Sequence, residues 1–253
     1  MMKDRAAKIK ALSQAMEDQL IIADNKFAIL KPLFGDEDLL KKWDGSRSAN
    51  GVVLLRLTLY YDLIRELSAI SFDYDEKKTS PSIKKIITLL EDSGLVTYLK
   101  KDFCKPLQIV FVGKNAEQQA IAQGSRSKAY IALRQNQKES NRTSRQNDKE
   151  IVFDNALKQV RSEWEEVTSS ELYKTIKGVR NSLVAHYEMC GEGSERRLKS
   201  PEDFDLNWDD AQKYFEKVKP IIENMLLIIH NRTFLYDESR DNWDKIADEF
   251  WHK

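Results

Sequence analysis

The sequence predicts an all-α protein, a helical bundle of about six to eight helices, and three observations lead there. Only nine glycines and five prolines punctuate the 253 residues, too few for the frequent turns of a sandwich or barrel. Apolar residues recur at steps of three and four through most of the chain, the period of a helix with one buried face. Strand-like patterning occurs at residues 107–112 (LQIVFV) alone, and a lone strand has no partner to complete its ladder.

Charged residues make up 32% and hydrophobic ones 41%, a balance that belongs to a folded soluble protein rather than a disordered or membrane-embedded one. The length suits one large domain. Residues 1–253 read as a single helical domain in which 113–148 is a polar, basic insertion or exposed arm. Forty-one basic residues meet 41 acidic ones, so no global field recruits nucleic acid. Locally the balance tips: residues 114–149 carry eight Lys and Arg against three Asp and Glu, and 201–253 carry seven against thirteen. Two cysteines, Cys104 and Cys190, make neither a disulfide framework nor a zinc knuckle and are expected to stay reduced in the cytoplasm. The charged amphipathic start has no apolar secretory core, and no apolar run reaches membrane-spanning length.

Taken in order, residues 4–34 read as a long amphipathic helix stopped by Gly35. Asp36, Glu37 and Asp38 form a capped, acid-rich first turn of a short helix ending at Trp43. Residues 50–70 are apolar on nearly every side (Val52, Val53, Leu54, Leu55, Leu57, Leu59, Tyr60, Leu63, Ile64, Leu67), as in a helix buried mid-bundle or in a subunit interface. Ser80 and Pro81 open the next helix as N-cap and first helical residue. Residues 136–147 (NQKESNRTSRQN) lack any large apolar side chain and are expected to form an exposed loop or flexible arm. Residues 150–167 form a helix with Phe153, Leu157, Val160 and Trp164 on its apolar side. Thr168 and Glu171 fit a capping box for a helix running to about Cys190 and ending at Gly191. Asn207, Asp209 and Asp210 cap the last long helix, whose ridge is Phe215, Val218, Ile222, Met225 and Ile229, with a kink at Pro220.

The helix from Glu171 carries the residues that speak of chemistry. Its apolar stripe is Leu172, Ile176, Val179, Leu183 and Cys190. At about 100° per residue, Arg180 falls about 80° to one side of that stripe and His186 about 40° to the other. Six residues also separate them by roughly 9 Å along the axis. In one straight helix the two do not point at the same atom. Joint action on one phosphate requires a distorted helix, or a second copy of it across a two-fold axis.

Arg180-Asn181-Ser182-Leu183-Val184-Ala185-His186 resembles the signature of the HEPN superfamily: an Arg, often followed by a polar residue such as Asn, then a His after four to six intervening residues. The motif sits in a late helix of an α-bundle, with another capped amphipathic helix about twenty residues on. The subgroup it resembles is the abortive-infection type of bacterial anti-phage systems, and Leu54-Leu55-Arg56-Leu57-Thr58 is similar to that group's buried helix. The resemblance implies a helical homodimer that cleaves RNA without metal or cofactor, a toxin or phage-defence role, and an antitoxin or defence-system partner. By position, Arg180 and His186 are then the catalytic pair, supported by Asn181. Where some family toxins carry a Tyr two residues after the His, this chain has Glu188, with Tyr187 directly after the His.

The chemistry fits these residue types. A ribose 2′-hydroxyl can attack its adjacent phosphate, leaving a cyclic phosphate and a 5′-hydroxyl. His186, titrating near neutrality, acts as base or acid in that step. Arg180 holds two phosphate oxygens and offsets their growing charge. Asn181 hydrogen-bonds the phosphate or orients His186. Arg126, Lys128, Arg134, Arg142 and Arg145 either track an RNA backbone or decorate a soluble loop. His230 reads as a packed or interfacial residue, and His252, near an end expected to fray, is given no role. Glu163, Glu165 and Glu166 read as a solvated helix face rather than a metal site. The alternative to a nuclease is a helical interaction module of the same fold that binds a protein or nucleic acid without cutting it.

Overall fold

The N-terminal periodicity folds into α1 (Met2–Leu30), which buries Ala6, Ile9, Leu12, Met16, Leu20, Ala23, Phe27 and Leu30 at steps of three and four. In this computed structural model, residues 2–45, 48–72, 80–105, 128–184, 189–190, 197–198, 201–232 and 237–252 are described. α1 ends short of the expected Phe34, because Pro32 has no N–H to extend the ladder and instead opens the single turn α2 (Pro32–Gly35). Asp36 Oδ1 accepts from the Leu39 N–H at 2.8 Å, capping α3 (Glu37–Trp43). The apolar segment forms α4 (Ala49–Phe72).

The next cap lies at Ser82 rather than Ser80. Ser82 is extended (φ −153°, ψ 155°), and its hydroxyl accepts from the Lys85 N–H at the start of α5 (Ile83–Leu89). Asp92 caps α6 (Ser93–Phe103), accepting from Gly94 N at 2.8 Å and Leu95 N at 3.1 Å. The Leu95 N–H leads the effects that hold this carboxyl below the usual carboxylate range. The strand-like run 107–112 lies outside the described residues.

α7 (Lys128–Ser169) is 42 residues long and corrects the loop expected at 136–147. That stretch holds no Gly or Pro, and its Gln, Lys, Glu and Arg are good helix formers. The costly nucleus is supplied by the segment that buries Phe153, Val160, Trp164 and Val167, after which each further turn propagates at little cost. Because α7 runs through Ser169, Thr168 is not a cap. Its hydroxyl donates back to the Trp164 carbonyl at 3.0 Å, and Ser170 caps α8 (Glu171–Val179), accepting from Tyr173 N at 3.2 Å.

α9 (Asp210–His230) passes through Pro220 without a break and buries the predicted ridge. Its start differs from expectation: Asp209 makes no side-chain capping bond, and Asp210 Oδ2 accepts from the Asn207 N–H at 2.8 Å. It ends on Asn231 in the left-handed region (φ 54°), where Asn is tolerated. α10 (Asp237–His252) replaces the fraying end. Trp251 is buried and donates from Nε1 to the Ile29 carbonyl at 2.8 Å.

Ten α-helices therefore stand among the described residues, with α2, α6 and α10 added to the expected set. α9 packs against α7, α1, α4 and α6, and α1 against α4 and α10, so one contiguous apolar core joins them. None of the described helices is long and apolar enough to cross a membrane.

Candidate functional site

α8 is held from below by its apolar side. Ile176 and Val179 are fully buried, and the Tyr173 ring meets Phe72 of α4 at 5.5 Å and Trp164 of α7 at 6.0 Å, both edge-on. Burial among these rings raises the Tyr173 hydroxyl pKa. The α-helix then stops at Val179. Arg180 keeps helical dihedrals (φ −56°, ψ −45°) and shares its N–H between the Ile176 and Lys177 carbonyls, and residues Arg180–Val184 form a π-helical turn.

This turn changes the geometry expected of the motif. A π turn takes in one more residue than an α turn, so positions beyond Arg180 fall behind the phase of a straight α-helix. The distortion that joint action by Arg180 and His186 would require begins at Arg180 itself. The helix also does not reach Cys190, as expected from the capping reading. Met189 and Cys190 pair with Leu198 and Arg197 in a two-residue antiparallel ladder. Such extended backbone is incompatible with a helix continuing through the motif to Gly191.

Arg180 is half-buried and donates from Nη1 to Asn181 Oδ1 at 3.2 Å, while Asn181 is exposed. The structure thus brings Arg180 and Asn181 together. His186 lies outside the described residues. The π turn packs on α4 as well as α8, and α4 carries a feature that sequence reasoning missed. The Arg56 guanidinium lies 4.0 Å from the Trp208 ring centroid and 5.2 Å from that of Phe34, and Trp208 also meets Tyr60 at 4.8 Å. The three partners are more than 20 and 150 residues apart in the chain, so no local pattern announces them. This cation–π stack ties the outer part of α4 to the loop entering α9.

The basic residues lie elsewhere. Arg126 is outside the described residues, and positions 128, 134, 142 and 145 belong to the N-terminal part of α7. Position 145 is roughly 36 Å along the helix from Ser169, whereas α8 returns by only about 14 Å, so the structure does not bring these positions to Arg180. His230 is packed, as expected: its Nε2 is 2.8 Å from the buried Ser13 hydroxyl. Burial, then the nearby Arg232 and Lys10, lower its pKa. His252 bridges Asp36 at 3.2 Å and Asp248 at 3.6 Å. Glu165 and Glu166 are exposed, and Glu163 accepts from Gln159 at 2.7 Å. Among the described residues no group of three or more His, Cys, Asp or Glu is placed to hold a metal. A cavity of about 700 Å³ lies between α1, α2, α3 and α10, lined by Lys31, Asp36, Asp244 and His252 among others, and includes no motif residue.

Comparison with known proteins identifies the family. A family model described as AbiU2, of HEPN type, matches residues 6–250. The search of curated proteins found no match, and neither did the search of solved structures. The match takes in the bundle, α4 and the Arg180 turn together, and the chain belongs to this AbiU2 family, an abortive-infection branch of the HEPN superfamily.

Proposed function

We propose that this chain is a cytoplasmic endoribonuclease of a phage-defence or toxin–antitoxin system, acting as a homodimer with Arg180, Asn181 and His186 at the reaction centre. The observation that carries the reading is the π turn at Arg180–Val184, a distortion at the start of the family's Arg-Asn…His motif. π turns inside helices are rare and concentrate at functional sites.

In this reading the ribose 2′-oxygen attacks the adjacent phosphorus, the bond to the 5′-oxygen breaks, and a 2′,3′-cyclic phosphate and a 5′-hydroxyl result. His186 moves a proton, taking it from the 2′-hydroxyl or giving it to the departing 5′-oxygen. The Arg180 guanidinium offsets the charge that builds on the non-bridging oxygens, and its bond to Asn181 orients it on the half-buried turn. Proton transfer and charge offset both come from side chains, so the step needs no metal. Support for the dimer comes from the outer half of α4, where Val53, Leu54 and Leu55 are 55%, 66% and 38% exposed.

The test is cleavage of a mixed RNA pool in EDTA by the wild type, Arg180→Ala and His186→Ala, with DNA as a control. RNA cut only by the wild type, leaving cyclic-phosphate ends, is the expected result. Equal cleavage by the variants, or none by folded dimeric wild type, overturns the nuclease reading and favours a binding module.

A further inference from the structure

Every Lys and Arg between residues 134 and 149 falls on one face of α7. At about 100° per residue, positions Arg134, Lys138, Arg142, Arg145 and Lys149 lie within an arc of about 80°. Lys128, the first residue of α7, lies about 40° outside the arc. The acidic positions Glu139 and Asp148 lie about 60° and 40° outside it. The array extends about 22 Å along the helix.

The arc has a fixed relation to the bundle. The buried positions Ala156, Val160 and Val167 share it, while Phe153, Trp164 and Leu157 lie about 20°, 40° and 60° beyond its edge. The face of α7 that is apolar within the bundle therefore becomes basic past Lys149. The change coincides with the end of the neighbouring helices. The Lys149 ammonium donates to the Lys105 carbonyl just after α6, and Asn231, where α9 ends, donates to the Phe103 carbonyl.

Two properties say what belongs on this face. Arg134–Lys138, Lys138–Arg142 and Arg145–Lys149 are like-charged pairs at a spacing of four, each of which weakens an isolated helix. A linear polyanion removes that repulsion. Second, residues 134–149 contain no apolar residue, whereas protein interfaces are anchored on aromatic and aliphatic side chains. We infer that this face of α7 binds the phosphate backbone of an RNA strand laid along the helix, at a surface apart from the Arg180 turn. The choice of RNA among polyanions rests on the ribonuclease reading above. The consequence for that reaction is that long RNAs gain affinity from α7 and short ones do not.

The test uses the full chain carrying His186→Ala, so that bound RNA survives, and a labelled RNA of about 30 nucleotides, read by anisotropy from about 50 to 300 mM KCl. One variant adds Lys138→Gln, Arg142→Gln and Arg145→Gln. A second keeps the net charge by combining Lys138→Gln and Arg142→Gln with Ser140→Lys and Ser144→Arg, which move two charges to the opposite side of the helix. The first variant is expected to bind at least tenfold more weakly, with the slope of log affinity against log salt reduced by about two. The second is expected to lose affinity although its charge is unchanged. Circular dichroism should show helix retained in both, since the first removes all three like-charged pairs and the second removes two and adds one, between positions 140 and 144. Binding by the second variant equal to the parent's, or an unchanged slope in the first, overturns the inference. A parent that binds no RNA overturns it too, whereas a parent that binds RNA while the wild type cuts none sinks only the nuclease reading.

Discussion

The two halves of α4 are almost equally apolar and meet opposite fates. From Tyr60 onward, Tyr60, Leu63, Ile64, Leu67 and Ile70 are fully buried against α1 and α9. From Val53 to Leu55 the side chains stand in the open, past the point where α1 ends at Leu30. The lesson is that burial is conferred by neighbours. α1 runs alongside α4 at the level where Lys26 pairs with Asp62 and, at 2.9 Å, with Glu66, and no longer covers it at Leu54. An apolar helix surface of this kind suits an interaction site, and under the proposed function a second copy is its occupant.

The sharpest way to break this comparison is to truncate both halves equally. Leu63→Ala or Leu67→Ala removes a fully buried side chain and should destabilise the fold by about 2–5 kcal/mol, whereas Leu54→Ala, measured in the monomeric state, should change it by less than about 0.5 kcal/mol. Denaturant midpoints measure both, and equal losses would mean that the outer half is structural after all. The next effect is on assembly. Val53→Asp with Leu54→Asp should turn a dimer into a folded monomer, as read by light scattering. A persisting dimer would place the interface elsewhere.

A smaller effect tests the joint between the halves. Arg56, stacked on Trp208 and Phe34, should contribute about 1 kcal/mol, lost on Arg56→Ala and partly kept by Arg56→Lys in thermal unfolding. The smallest effect loads the core half while leaving the outer half untouched. His230 is held neutral by burial and by Arg232 and Lys10, so its folded pKa lies below the usual 6.5. Its contribution is complete above pH 6.5 and declines as pH falls from there towards the lowered folded value, because the unfolded chain takes up the proton first. The wild type should therefore lose stability between pH 7 and pH 5, and His230→Gln should lose less, with assembly through α4 unchanged in either. Asp92, Asp102 and Asp209, whose pKa values are also lowered, begin to cost stability only near the usual carboxylate pKa of about 4, below that window.

Much of the bundle was legible because periodicity is local. The ridge Phe215, Val218, Ile222, Met225 and Ile229 is buried as its spacing predicts, and Asp36 caps α3 as its position implies. The misplaced caps at Ser80 and Thr168 share a cause: several Ser and Thr stand near each helix start, and the backbone conformation chooses among them. Residues 136–147 are helical despite their low hydrophobicity because nothing in the stretch interrupts a helix.

At the candidate site, the sequence alone determined the motif and its order, Arg180-Asn181 and then His186, and from it the family to which the chain belongs. The conflict in phase between Arg180 and His186 was also visible, because the 100° step of an α-helix is a local property. Only the tertiary structure decided how the helix answers it. The π turn follows a helix, α8, that Tyr173 pins against Phe72 of α4, about 100 residues away in the chain. The exposure of Leu54 and the stack on Arg56 belong to the same class, since burial and cation–π geometry are set by which distant segments share a neighbourhood. Such facts are non-local, and no window of sequence contains them.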